Sequence, residues 1–218
     1  MESGARMKMK KMVAQATLKS LRVGRCAASI MLLGFLVSCA PGLGTSFNVS
    51  SVETVPVESR KLLTGLRVRF APFVDERREK EVAEIDGRGL EPERDPAAAA
   101  QRIVEAQFRE AGVRRGLFEG ATIRGTLLEW HIRITPGFPS TKMHASAKIR
   151  LEVLAVGEVP AQAKPLYSAR YSGIIDEEHP IGSTERIERA FARAMAEAAS
   201  EALQDSRFVA ELQGRSPQ

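Results

Sequence analysis

Cysteine is nearly absent from this chain: there are two in 218 residues, Cys26 and Cys39. Nothing after position 39 can therefore form a disulfide, a thiolate metal site or a cysteine nucleophile. Histidine is scarce as well, and His131, His144 and His179 follow no metal-ligand spacing. Long hydrophobic runs are missing too. The stretch from Ala27 to Val37 is 11 residues long, against the roughly 20 that a membrane-spanning helix needs. There is no internal repeat, no glycine-rich phosphate loop and no nucleophile elbow, and the Gly-x-Gly at 42 to 44 belongs to a small, polar stretch. No set of acid, base and nucleophile stands out, so the expectation is a non-enzymatic protein without metal or cofactor.

What is present begins at the N-terminus. Arg6, Lys8, Lys10, Lys11, Lys19, Arg22 and Arg25 stand against one acid, Glu2, ahead of the short apolar core. This is the order of an export signal. The core closes on Leu36-Val37-Ser38-Cys39, which resembles the lipobox of bacterial lipoproteins at every position. Residues 1–38 are read as a lipoprotein signal peptide and Cys39 as the lipidated residue. The alternative is an ordinary secretory signal with a cysteine near its cleavage point. Cleavage before Cys39 also changes the charge. The precursor is formally +5, but its first 38 residues carry 7 of the 32 Lys and Arg and 1 of the 27 Asp and Glu, leaving 25 basic against 26 acidic residues. A near-neutral mature chain gives no basic field for nucleic acid.

Residues 39–60, with Gly42, Gly44 and Pro56, read as a flexible tether, whose roughly 20 residues would reach about 25 Å. Ala40, rather than aspartate, follows the cysteine, which resembles the outer-membrane sorting pattern of enterobacterial lipoproteins. The domain is expected over 61–213 and a disordered tail over 214–218.

Within the domain, Leu66, Val68 and Phe70 alternate with Arg67 and Arg69 as in a half-buried strand. The charged stretch from Asp75 to Arg94 reads as a long loop. Asp95-Pro96 starts a helix with a capping carboxylate and a proline whose missing N–H costs nothing there, and Gly112 stops it. Leu128, Trp130, Ile132 and Ile134 mark a second strand, Met143 to Val153 a third, and Leu166 to Ile174 a fourth. Ile187, Phe191, Ala194, Met195, Ala198 and Ala202 line one face of a closing helix from about Ser183 to Gln204, with a short helical tail near Phe208 to Leu212. The fold class expected is α+β, a single domain in the order β-α-β-β-β-α, with an antiparallel sheet of about four strands and two helices on one face.

Three residues are candidates for binding. Asp75 and Arg77 fall at a strand end, where a functional loop can sit on a rigid scaffold, with an exposed ion pair as the alternative. Phe138 lies between Pro136 and Pro139 in a loop, where an apolar side chain can touch a membrane or a partner, or pack back onto the domain. Trp130 reads as core. His131 and His144 sit on outward strand positions, where solvation explains them better than metal binding.

The chain resembles the YajG-like group of uncharacterised bacterial lipoproteins. The likeness lies in the lipobox at Cys39, Pro72-Phe73-Val74-Asp75-Glu76-Arg77, Gly87, Ala111-Gly112, and Gln204-Asp205 before Phe208 and Leu212. It implies an envelope lipoprotein and brings no agreed activity. The functional expectation is an outer-membrane-anchored lipoprotein whose periplasmic domain binds another envelope protein or a glycan, with the membrane as partner through Cys39. The alternative is an auxiliary lipoprotein of a lipid or lipopolysaccharide transport system, which calls for an apolar groove between sheet and helices.

Overall fold

The computed structural model describes residues 46–47, 52–56, 63–85, 87–92, 95–116, 120–157, 160, 163–180 and 184–214. The signal peptide, Cys39, Ala40, most of the tether and residues 215–218 lie outside them. The chain divides between Leu43 and Gly44, and every described residue belongs to the second unit.

In chain order the described elements are β1 (Ser46–Phe47), β2 (Arg67–Phe70), β3 (Val74–Asp75), β4 (Ala83–Ile85), β5 (Arg88–Pro92), α1 (Pro96–Glu110), β6 (Arg114–Arg115), β7 (Ala121–Thr135), β8 (Thr141–Leu154), β9 (Tyr167–His179), α2 (Thr184–Gln204) and α3 (Ser206–Leu212). The order of long elements is the expected one. β7, β8 and β9 form an antiparallel meander, joined by residues 136–140 and 155–166.

The sheet as a whole is mixed, which corrects the expectation of an antiparallel one. β2, β3 and β4 lie one after another along the free edge of β7 and run parallel to it. The connection from them to β7 passes through α1, and a helical crossover brings the chain back to the end it started from. Among the described residues nine strands result rather than about four.

The expected loop from Asp75 to Arg94 is also corrected, since it contains β4 and β5 as a hairpin around Gly87, whose φ of +76° favours glycine. Dense charge hides the strand pattern there: Glu84 faces Arg133 across to β7 at 2.9 Å, so a polar residue occupies an ordered position.

β7 begins at Ala121, well before Leu128, because its side-chain alternation changes phase. Ile123 and Leu127 are buried on the helix side, Leu128 is an extra residue in the pairing with β8, and Trp130, Ile132 and Ile134 are buried beyond it. A bulge inserts one residue and flips the parity, so a continuous alternation detects only the second half. β9 likewise runs on to His179, past the predicted end at Ile174, as Glu177 pairs with Met143 and His179 with Thr141.

Two parts of the segment expected as tether are paired with the domain. β1 pairs with β5, and Val55 exchanges hydrogen bonds with the Gln107 side chain, its N–H donating at 2.9 Å and its carbonyl accepting at 2.7 Å.

The helices cover one face of the sheet. Asp95 caps α1 by accepting from the Ala97 N–H at 2.9 Å, with Pro96 behind it, and Gly112 at φ +90° follows its end. α2 lies so close to β9 that a Cβ on Gly173 would sit 2.0 Å from the Ala194 carbonyl oxygen. Between the layers, Trp130 stacks on Phe191 with centroids 4.1 Å apart and donates its Nε1–H to the Phe191 carbonyl at 3.0 Å. The tryptophan is thus core, with its one polar atom satisfied. Phe108 meets Phe70 and Phe208 edge to face, and Phe208 meets Tyr171.

Candidate functional site

With the helices gathered on one side, the other face of β8, β9 and the second half of β7 is open, while Thr122 and Thr126 on the first half of β7 are buried. Strand alternation that buries Ile149 and Leu151 sends Lys148, Arg150 and Glu152 outward. These outward positions meet acids and bases of neighbouring strands. Arg124 pairs with Glu152, Lys148 with Glu129 at 3.2 Å, Arg150 with Glu76 at 3.1 Å, and His144 Nδ1 with Asp176 at 2.7 Å. Burial alone would raise the pKa of Glu129, but hydrogen bonds from Ser146 and Lys148 outweigh it, and its carboxyl titrates below the ordinary value. Exposed pairs such as Lys148–Glu129 and His144–Asp176 contribute at most about 1 kcal/mol each. Their effect is to present an ordered, hydrogen-bonded polar surface.

Asp75 and Arg77 come together as the sequence suggested, but the pair is not exposed. Arg77 donates Nε–H to Asp75 Oδ1 at 3.0 Å and Nη2–H to Oδ2 at 3.1 Å, and its backbone N–H reaches Oδ1 at 3.0 Å. The Arg77 side chain is 2% exposed and that of Asp75 22%. The Glu76 N–H donates to the Leu127 carbonyl, so the pair sits where β7 bulges. Burial pushes the Asp75 carboxyl up, the Arg77 hydrogen bonds and charge pull it down, and the balance lies below the ordinary carboxylate range. Arg77 Nη1 is buried without a hydrogen-bond partner.

Phe138 stands apart from both. It is fully exposed at the tip of the β7–β8 loop, and nothing packs over it. His131 and His144 are not paired across the strands: His131 faces Ser146, and Arg133 faces His144. His179 ends β9 and meets Glu177 at 2.9 Å. Among the described residues no three His, Cys, Asp or Glu side chains gather to hold a metal.

One cluster escaped the sequence reading. Asp205 caps α3, accepting from the Arg207 and Phe208 N–H groups at 2.9 and 3.3 Å, while its other oxygen accepts from both Tyr167 and Tyr171 at 2.8 Å. The capping half was legible in Asp205-Ser206 ahead of Phe208, but the tyrosine half required the β9 fold.

Most of the space between sheet and helices is filled, as Trp130, Phe191 and Gly173 show. An exception is a cleft of about 360 Å³ beside α1 and β6, lined by the apolar Val68, Phe70, Phe108 and Val113 and by Arg109, Arg114, Arg115 and Glu105, the last paired with Arg115 at 3.7 Å.

No family model matches the sequence, and no curated protein matches it either. Solved structures do. Protein XCC0632 from Xanthomonas campestris, of the DUF330 family, aligns with 79% of this chain and 100% of its own at 10% identity, with a TM-score of 0.53. Lipoprotein GNA1162 from Neisseria meningitidis aligns with 56% of this chain and 90% of its own at 13% identity, with a TM-score of 0.28. The likeness to XCC0632 is one of fold. No helix among the described residues is long and apolar enough to cross a membrane.

Proposed function

We propose that this chain is a YajG-like lipoprotein, anchored in the outer membrane through Cys39, whose periplasmic domain is a non-enzymatic binding module for another envelope protein or a glycan. The open face of β7, β8 and β9 carries the reading. Helices shield the opposite face completely enough to stack Trp130 on Phe191, whereas the open face offers ordered polar groups without a buried catalytic constellation. Such a face recognises a partner by complementary charge and hydrogen bonds. The partly exposed carboxylate of Asp75 borders it.

Site-specific photocrosslinking in intact cells tests this. A crosslinker at Arg170, outward on β9, should yield a discrete adduct, and one at Glu185, exposed on α2, should not. Equal labelling from both positions, or none from Arg170, would count against the open face.

The apolar cleft at Val68 and Phe108, whose lining carries three arginines against the one acid Glu105, favours a second reading, an auxiliary lipoprotein of lipid transport that holds an anionic amphiphile. A lipid retained through purification and lost on Val68→Trp, read by native mass spectrometry, would favour it.

A further inference from the structure

We infer that the β7–β8 tip, with Phe138 at its apex, contacts the lipid bilayer and fixes which end of the domain faces the membrane; this rests on the lipidation of Cys39 proposed above. The direction of the chain supplies the first argument. β4 runs parallel to β7, β5 returns antiparallel, and β1 runs parallel to β5. Arg88, Ile85, Ile134, Met143 and Glu177 therefore form one row across the sheet, next to the β7–β8 tip. Traced back toward Cys39, β1 heads for that row.

Lengths decide the rest. Ser46 lies opposite Glu91, three residues from Arg88, or about 10 Å from the row at a strand's rise per residue. The seven residues from Cys39 to Ser46 span at most about 25 Å, which leaves about 15 Å beyond the row. Phe138, four residues past Ile134, projects no more than about 13 Å beyond it. The anchor and the apex can thus meet one membrane surface. Val156, exposed past the end of β8, is near Leu154, which pairs with Thr122. That end lies about 40 Å from the row along β7, out of the anchor's reach.

The composition of the tip fits the bilayer. Thr135-Pro136-Gly137-Phe138-Pro139-Ser140-Thr141 carries no charge, and Phe138 is 101% exposed. Arg133 and Lys142, both exposed, flank it at the depth where lipid phosphates accept hydrogen bonds, with Arg133 also held by Glu84 and the Ser140 hydroxyl donating to Glu178. A single phenylalanine adds little affinity alone, but beside a covalent anchor its insertion is intramolecular, and it serves to orient.

Full-length acylated protein in phosphatidylethanolamine and phosphatidylglycerol vesicles, with and without brominated acyl chains, provides the test. Phe138→Trp and Val156→Trp each place a reporter on an exposed site, over a constant background from buried Trp130. The tip reporter should lose most of its added emission to bromine, and the Val156→Trp reporter should keep its own. Acylated protein with an unquenched tip, or with Val156→Trp quenched in its place, overturns the inference and leaves the anchor standing. A purified chain whose mass lacks the acyl groups overturns the anchor, and the inference with it.

Discussion

Tyr171, in the middle of β9, donates its hydroxyl to Asp205 Oδ2 at 2.8 Å, and so ties the last long strand to the start of α3. Tyr167 reaches the same oxygen. Burial would raise the Asp205 pKa, but the two phenols and the Phe208 and Arg207 N–H groups together lower it below 3.8. The same contact, after burial, pushes the Tyr171 hydroxyl far above its ordinary range.

Asp205→Ala should therefore cost about 1 to 2 kcal/mol, the usual loss for a helix cap. Because the folded pKa is depressed, the stabilisation is present above the unfolded value and disappears as pH falls through the folded one. Urea midpoints measured downward from pH 5 should fall for the wild type and fall less for Asp205→Asn. Asp75 and Glu129 are depressed in the same direction and keep the remaining slope.

Removing Asp75 should be worse than removing the pair. Asp75→Ala leaves the Arg77 guanidinium buried without its counter-charge, at a cost of about 3 to 5 kcal/mol. Asp75→Ala combined with Arg77→Met should regain part of that loss in chemical denaturation. Equal or additive losses would mean that the pair is not the unit described.

Gly173 and Gly125 should differ. A Cβ at Gly173 meets helix backbone, the Ala194 oxygen at 2.0 Å and the Ala198 nitrogen at 2.7 Å, whereas at Gly125 it meets the Phe73 ring at 2.3 Å. A ring can swing and a packed helix cannot, so Gly173→Ala should lower the melting temperature more than Gly125→Ala. Overpacking of this kind costs about 1 to 3 kcal/mol or more.

Cys39→Ser should abolish acylation and move the protein from the membrane to the periplasmic fraction. The wild type, with Ala40 after the anchor, should co-sediment with outer-membrane markers. Wild-type processing and fractionation of Cys39→Ser would refute the lipoprotein reading.

The sequence by itself determined what short-range chemistry encodes. Asp95-Pro96 and Gly112 bounded α1, the alternation through Met143 to Val153 marked β8, and the apolar stripe from Ile187 to Ala202 marked α2, because each signal lies within a few residues. The proposed signal peptide and lipobox rest on local patterns of the same kind, in residues outside the described ones. Tertiary structure alone decided the rest. Leu128 reads as one more inward residue until β8 shows that it is a bulge, and the charged segment after Asp75 reads as loop until Arg133 and the β7 edge give β4 partners. Whether Arg77 is exposed or buried, and whether Asp205 merely caps a helix or also holds two tyrosines, depends on residues dozens of positions away. Strand pairing and burial are non-local, so the sheet's parallel edge and its uncovered face exist only once the chain has crossed back through α1.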